Sequence, residues 1–168
     1  MDCRTPNGRR AIAQQRAVAR LIAQRWQGTL VETPNGAASV DVLFAREGEL
    51  VSIGEIKIRS MAWRDLVALG SYLVTYDKLQ RGRELARLLG VPFDLFVRFA
   101  DDVLGWWRIA HATGEWACRF VVRETETAAT CNGGRVTRAN AYLDVRDAQL
   151  LRAAMLRTPA HGRRRSAD

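Results

Sequence analysis

Two apolar segments, residues 39–45 and 51–59, are separated by a short polar turn around Gly48. The neighbours Val42 and Leu43 point to opposite faces of such a strand, and both are apolar. A strand that is apolar on both faces must be covered on both sides, as central strands between layers of helices are. The sequence therefore predicts an α/β or α+β domain with this hairpin near the centre of its sheet.

The remaining pattern fills in the elements around the hairpin. Apolar residues at three- and four-residue steps predict a first helix over residues 8–26 and another over 77–89, which Gly90 ends. Further strands are predicted at residues 29–33, 93–99, 103–109 and 116–123, and a closing helix at 147–156. Residues 60–71 give no clear class, and residues 124–140 are expected to form a mobile loop or hairpin. The order is αβββαββ with a late helix around one mixed sheet.

The composition bounds the size and class of the protein. A chain of 168 residues with 48% hydrophobic content is long enough for one core, so a single domain over residues 1–157 is expected. Residues 158–168 are expected to form a basic disordered tail. The odd number of cysteines, three, and the lack of a long apolar run favour a soluble protein of the reducing cytoplasm that does not contact membranes.

The formal net charge of +8 favours a polyanionic partner, of which DNA and RNA are the commonest. A GC-rich genome that encodes arginine often is the other explanation, because 24 of the 26 basic residues are arginine. The two lysines, Lys57 and Lys78, are therefore candidates for positions where a compact ammonium is needed. Lys78 is also consistent with a simple solvated position in the first turn of a helix.

A hairpin centred on Gly48 pairs residues whose numbers sum to about 96, which sets Asp41 opposite Glu55. Like charges that face each other across a sheet are destabilising unless a cation lies between them. Two carboxylates and a carbonyl are suitable ligands for Mg²⁺ or Mn²⁺, and the backbone carbonyl of Ile56 is the candidate for the third ligand. Lys57 shares this face and is suited to hold or deprotonate a water and to neutralise a phosphate. A purely structural cluster of Asp41, Glu55 and Lys57 is the alternative.

The segments Val40-Asp41 and Gly54-Glu55-Ile56-Lys57 resemble the Asp…Glu-x-Lys signature of the PD-(D/E)XK nuclease superfamily. Residues 76–79 and 84–93 are similar to the helix and strand that follow this signature in Holliday-junction resolvases and phage nucleases. The resemblance implies a restriction-endonuclease-like core and a Mg²⁺-dependent endonuclease that hydrolyses DNA, with selectivity for branched DNA as a finer expectation. It makes Asp41 and Glu55 metal ligands, Lys57 the catalytic lysine and Lys78 an accessory near the phosphates.

The resemblance also has a departure and leaves alternatives. Many resolvase-like members have a glutamate on the first helix, where this chain has the candidates Gln14 and Gln15. A helical projection places both on the apolar face with Val18 and Ile22, where two satisfied amides in a packed helix are the favoured alternative. Glu32 is a further candidate for the missing charge. Backbone contacts to nucleic acid are expected from the following arginines: Arg9, Arg16, Arg20 and Arg59. A homodimer is one assembly that the resemblance implies. An RNA nuclease and a non-catalytic nucleic-acid-binding protein are the rival functions.

Overall fold

The computed structural model describes residues 6–32, 40–128 and 135–152. Its elements, in chain order, are α1 (Pro6–Arg25), β1 (Thr29–Glu32), β2 (Val42–Arg46), β3 (Glu49–Ile58), α2 (Trp63–Leu69), β4 (Ser71–Thr75), α3 (Tyr76–Leu89), β5 (Phe93–Arg98), β6 (Val103–Ala110), β7 (Phe120–Ala128), β8 (Arg135–Asp144), a 3-10 turn (Val145–Asp147) and β9 (Gln149–Arg152). Within these ranges no helix is long and apolar enough to cross a membrane.

The central sheet has six strands in the order β1-β2-β3-β5-β6-β9. β3 and β5 are parallel and the other neighbours are antiparallel, so the sheet is mixed. Parallel neighbours need a crossover, which the chain makes through α2, β4 and α3. A second sheet with the order β4-β8-β7 packs beside this crossover. β3 therefore lies inside the main sheet, as its apolar flanks predicted.

The two faces of the central sheet carry separate hydrophobic cores. On one face α1 contributes Val18 and Ile22, which pack with Phe44 and Phe96. On the other face the crossover and the second sheet bury a larger cluster around Trp107. Because both faces of β3 bury apolar side chains, the register of β3 in the sheet is fixed.

The register of the β2–β3 hairpin is confirmed where it matters for the site. Leu43 pairs with Ile53, and Val42 pairs with Gly54, so the residue numbers sum to 96. Closer to the turn a bulge between Phe44 and Ala45 shifts the pairing by one. The bulge re-aims the end of the hairpin and leaves the acidic end of both strands in the predicted alignment.

The segment from 60 to 71, for which no class was predicted, holds α2 and the start of β4. Both pack against the larger core, since Leu66 and Tyr72 are buried there. The sequence signal was weak because α2 spans only seven residues, Trp63–Leu69, and leaves Val67 and Leu69 exposed. So short a segment shows little helical periodicity.

The predicted closing helix at 147–156 is wrong over the residues that the structure describes. The chain makes one 3-10 turn and then β9, which pairs with β6 and forms an edge of the central sheet. Leu151 packs against the α1-side core whereas Leu150 is 45% exposed, which is the alternation of a strand. The free edge of β6 thus decided the conformation of this segment over its helix-like composition.

The predicted strand at 116–123 begins later in the structure. Trp116 makes only an isolated bridge to Ala110, and β7 starts at Phe120 and pairs with β8. This pairing covers residues 124–128 and 135–140 of the segment expected to be a loop or hairpin. Residues 129–134, the domain limit at 157 and the tail 158–168 lie outside the described part of the chain.

α3 approaches the central sheet closely, and this brings its first turn to β3. Gly82 faces the ring of Phe93 on β5, where a Cβ would overlap the ring atoms. Gly90 then ends the helix at a φ of 67°, and the N–H of Val91 donates to the carbonyl of Ala86 at 3.1 Å. The glycine inside the helix therefore sets the depth at which Lys78 approaches the sheet.

Candidate active site

Glu55 lies in the middle of β3 and faces the crossover layer rather than α1. Successive side chains of a strand point to opposite faces, and its neighbour Ile56 belongs to the α1-side core. Glu55 is only 1% exposed, and its Oε2 atom is buried with no hydrogen-bond partner in the described structure. A buried carboxylate oxygen without a hydrogen bond is costly unless a nearby cation compensates for it.

Both lysines of the chain reach this carboxylate. The Lys57 ammonium donates to Glu55 Oε1 from two residues along the same strand. Lys78 Nζ, in the first turn of α3, lies 3.7 Å from Glu55 Oε2, beyond hydrogen-bond length. Two separate elements thus converge on one buried acid; the sequence analysis identified both lysines as candidates but did not predict their shared partner.

The electrostatic state of Glu55 reflects competing influences. Burial raises the pKa of its carboxyl, and the nearby carboxylate of Asp41 raises it further, while Lys57 and Lys78 lower it. The influence of burial is the largest, so the net pKa lies above the ordinary value. A carboxylate whose negative form is disfavoured by burial gains more than a surface one from a cation placed beside it.

Asp41 stands at the point where the β2–β3 ladder ends. Its backbone N–H donates to the carbonyl of Gly54 at 2.9 Å, and its Oδ2 accepts from the N–H of Ile56 at 2.8 Å. The Asp41 side chain therefore takes the place of a backbone acceptor on β2. This hydrogen bond fixes the carboxylate beside Glu55 on the neighbouring strand.

The carbonyl of the same residue, Ile56, is held by the first helix. Gln15 Nε2 on α1 donates to the Ile56 carbonyl at 2.9 Å, so Gln15 belongs to the site. A carbonyl oxygen has two lone pairs, and this bond occupies one of them. Gln14 is exposed, contrary to the expectation that both glutamines face the sheet, because α1 is rotated to bury Val18 and Ile22.

Arg59 and Tyr72 extend the site along the outer end of β3. The Arg59 guanidinium lies over the Tyr72 ring, 5.4 Å from its centroid. Burial raises the pKa of Tyr72 to about 12, Arg59 lowers it, and Glu55 raises it again. The sequence analysis missed Tyr72, since a single tyrosine in a segment of unassigned class carries no signal.

The oxygen atoms of the cluster are of the kind that binds a divalent cation. Glu55 Oε2 is buried without a hydrogen bond, Asp41 lies close enough to perturb it, and the Ile56 carbonyl is on the adjoining peptide. These are the hard oxygen ligands that Mg²⁺ prefers, with room for waters at its other positions. No group of three acidic, histidine or cysteine side chains converges within the described ranges. The fit to a cation held by two carboxylates and a carbonyl therefore rests on the chemistry of these oxygen donors.

The remaining candidates lie further out or beyond the described side chains. Arg9 and Arg20 are exposed on α1 and Arg16 is half-buried, each with some interaction in the structure. The backbone of Glu32 pairs with Val42, and its side chain is outside the described part of the protein. The structure thus brings Gln15 and Lys78 to the Asp41–Glu55–Lys57 cluster and leaves the α1 arginines on a neighbouring surface.

A second buried carboxylate, which the sequence analysis missed, lies on the opposite face of the same sheet. Asp94 on β5 is fully buried and pairs in register with Gly54, so it faces the α1 side. Its Oδ2 accepts from Ser52 Oγ at 2.6 Å, and its Oδ1 accepts from Trp106 Nε1 at 2.9 Å and from Arg108 Nε at 3.0 Å. Asp94 is therefore fully satisfied by side-chain donors.

The arrangement of Asp41 and Glu55-x-Lys57 on a hairpin inside a mixed sheet is the class of site expected for a PD-(D/E)XK nuclease. Residues 8–153 match the model of the family described as "phage putative PDDEXK endonuclease". The chain belongs to this family, and the restriction-endonuclease-like core expected from the resemblance is confirmed.

Two other comparisons were made. The fold is similar to that of Hjc, a Holliday junction resolvase from the archaeal hyperthermophile Archaeoglobus fulgidus, with a TM-score of 0.48 and 12% sequence identity. That similarity covers 84% of this chain and 93% of the resolvase chain. A search of curated proteins found no match. The family match, and not the structural likeness, identifies the chain.

Proposed function

We propose that this chain is a divalent-metal-dependent endonuclease that hydrolyses DNA phosphodiester bonds at the Asp41–Glu55–Lys57 cluster. The observation that carries the proposal is the buried Glu55 Oε2, which has no hydrogen bond although it lies beside Asp41 and between two lysines. A stable structural cluster would satisfy that oxygen with a donor. A cation ligand has a reason to leave it open.

Asp41, Glu55 and the Ile56 carbonyl would hold Mg²⁺ or Mn²⁺. When bound, the ion would supply polarisation of a phosphoryl oxygen and make water a stronger acid. The hydrogen bond from Ile56 N–H orients the Asp41 carboxylate, and Gln15 orients the carbonyl of the same residue. Both ligating elements are thereby held before the substrate arrives, which lowers the cost of reorganisation in the reaction.

The lysines supply positive charge at two depths. The Lys57 side chain is 27% exposed and is suited to orient the attacking water and to neutralise charge on the transition-state phosphate. The Lys78 side chain is 41% exposed and approaches from α3, where it would contact a phosphate beside the scissile one. Arg59 and the α1 arginines Arg9, Arg16 and Arg20 would extend backbone contacts along the DNA.

Cleavage assays test this proposal. The purified protein is incubated with supercoiled plasmid, linear duplex, a four-way junction and structured RNA, each with Mg²⁺, Mn²⁺ or EDTA. We expect metal-dependent DNA cleavage, with the junction cut fastest if the site is selective for branched DNA. Cleavage of RNA alone would assign an RNA nuclease, and metal-independent binding without any cleavage would assign the non-catalytic alternative.

Two variants separate the site from general charge effects. Lys57→Ala should abolish cleavage, whereas Arg87→Ala, which removes an exposed cation paired with Glu84 on α3, should leave it unchanged. Equal cleavage by the parent protein and Lys57→Ala would contradict the proposed chemistry. Sedimentation of the parent protein with and without DNA measures whether it acts as a homodimer, as the resemblance implies for cutting two strands.

A further inference from the structure

The β7–β8 hairpin extends beyond the sheet to which it belongs. Pairing between β4 and β8 ends at Thr75 and Asn140, whereas pairing between β7 and β8 continues to Ala128 and Arg135. The five additional pairs, formed by residues 124–128 and 135–139, make a two-stranded ribbon that no third strand covers within the described structure. We call this ribbon the arm.

The arm leaves the sheet at the end that holds the candidate active site. Thr75, opposite its root, directly precedes α3. Lys78, three residues further on, lies 3.7 Å from Glu55 Oε2. The root of the arm therefore lies within about one turn of α3 from the lysine that reaches Glu55.

The root of the arm is fixed by side-chain contacts. Asn140 is fully buried, and its Nδ2 donates to Thr125 Oγ1 at 2.7 Å and to the Arg138 carbonyl at 3.2 Å. Tyr142 Oη donates to the same threonine oxygen at 3.3 Å, and Arg123 lies over the Tyr142 ring at 5.4 Å. Isolated two-stranded ribbons are marginally stable in water, so these contacts give the arm a defined direction.

The two faces of the arm differ in charge. Cross-strand pairing places Arg138 on one face of the arm, together with Thr125, Thr127 and Val136, and Arg123 at the root continues the same face. Glu124 and Glu126 are on the other face, where Glu126 pairs with Arg135 at 3.2 Å. In the described part of the chain neither Arg123 nor Arg138 pairs with a carboxylate. One face thus offers two arginines without a counter-charge.

We propose that the face formed by Arg123 and Arg138 binds the phosphate backbone of duplex DNA beside the active site. A two-stranded ribbon is narrow enough to enter the major groove, and arginine on its face reaches the phosphates at the groove wall. The proposal rests on the proposed function for its choice of DNA as the partner. It assigns the arm the task of holding the duplex that flanks the cleaved bond.

The test compares two arginines of the same arm that lie on opposite faces. Arg138→Ala removes the proposed contact, and Arg135→Ala removes the same charge from the face that already pairs with Glu126. Binding to several unrelated duplexes of about 30 base pairs is measured by fluorescence anisotropy in EDTA, at a series of salt concentrations. Circular dichroism establishes that both variants are folded.

We expect Arg138→Ala to weaken binding about fivefold on every duplex and to reduce the slope of log K against log salt by about 0.9, as the loss of one phosphate contact does. Arg135→Ala should stay within about twofold of the parent, and Arg138→Lys should restore most of the affinity because it keeps the charge. Unchanged binding by Arg138→Ala, or an equal loss for both alanine variants, would overturn the proposal.

Failure of the arm proposal and failure of the proposed function give different results. A parent protein that cleaves DNA while Arg138→Ala binds and cleaves equally well retains the nuclease function and loses the arm. A parent protein that cleaves nothing, yet binds duplex DNA through Arg138, retains the arm and loses the nuclease function.

Discussion

Glu55 and Asp94 are buried carboxylates on neighbouring strands of one sheet, and the protein treats them differently. Asp94, on the α1 side, accepts hydrogen bonds from Ser52, Trp106 and Arg108. Glu55, on the crossover side, accepts a hydrogen bond from Lys57 at one oxygen, and its other oxygen, Oε2, accepts none. Burial raises the pKa of Glu55 above its ordinary value. Equal burial therefore does not indicate an equal role.

The difference separates a carboxylate that the fold uses from one that the fold tolerates. A buried charge with a full set of donors supports the structure, and removing it strands those donors. A buried charge with an open oxygen reduces stability and is retained where a ligand completes it. Under the proposed function Glu55 is of the second kind, and the hydrogen bonds of Asp94 make it one of the first.

Glu55→Gln is expected to give the largest effect. The amide keeps the size of the side chain and removes the charge that a cation needs, so cleavage should fall by about 10³-fold or more. The free energy of unfolding should stay the same or rise, because a disfavoured buried charge is removed. Single-turnover cleavage and urea denaturation of the same preparation measure both quantities.

Glu84→Gln is the matched control, since Glu84 is an exposed acid on α3 that pairs with Arg87. It should leave both cleavage and stability near the parent values. If Glu55→Gln were instead strongly destabilised while its folded fraction cleaved normally, Glu55 would be a structural acid like Asp94, and the contrast would be lost.

Asp94→Asn should show the reverse pattern. The amide keeps one acceptor oxygen but replaces the other with a donor and removes the charge that pairs with Arg108, so we expect the free energy of unfolding to fall by about 2–4 kcal/mol. The partial exposure of Arg108, 39% for its side chain, limits the loss because water reaches its guanidinium. Cleavage per folded molecule should be unchanged, and a thousandfold loss of cleavage without destabilisation would place Asp94 in the catalytic machinery.

Gln15 provides a smaller change that sharpens the same contrast. The described part of the site has two carboxylates. A third carboxylate at position 15 would lie close to the Ile56 carbonyl, to which Gln15 donates a hydrogen bond. Gln15→Glu adds a hard anionic ligand, so the Mg²⁺ concentration for half-maximal cleavage should fall by about tenfold. Gln15→Ala controls for loss of the hydrogen bond alone. An unchanged Mg²⁺ dependence in Gln15→Glu would show that position 15 acts only on the backbone.

The hairpin and its acids were predictable from the sequence because their signals are local. The turn at Gly48 fixes a register, and the register alone aligns Asp41 with Glu55. The Asp94 cluster was not predictable, since Ser52, Asp94 and Arg108 come from three strands whose order depends on the crossover. Gln15 was identified as a candidate from its helix face, but its partner depended on how α1 packs.

The errors have the same physical origin. Residues 147–152 have a composition that permits a helix, and the unpaired edge of β6 selected a strand. α2 was too short to show a period, and Tyr72 followed it in the same unassigned segment. Non-local contacts therefore decided the conformation of the misassigned segment and brought Tyr72 to the site.

Cys118 has no predicted effect at pH 7 and tests the argument about burial with a neutral group. Burial raises the pKa of its thiol from 9.0 to about 12, with a further contribution from Asp147. The thiol is neutral at pH 7 and has no charge to place in the core, unlike Glu55. Above pH 9 the unfolded chain ionises at this position and the folded chain does not, so stability falls as pH rises from about 9 to 12.

The expected slope is at most about 1.4 kcal/mol per pH unit, the value for one proton. Tyr72, whose pKa is raised from 10.0 to about 12, adds to the loss above pH 10. Urea midpoints measured from pH 7 to pH 11 should decline above pH 9 in the parent and less steeply in Cys118→Ala. Stability at pH 7 is compared within each protein, so the packing lost on truncation does not enter the slope. Parallel curves for the two proteins would mean that the thiol ionises freely in the folded state and would contradict the effect of burial at Cys118.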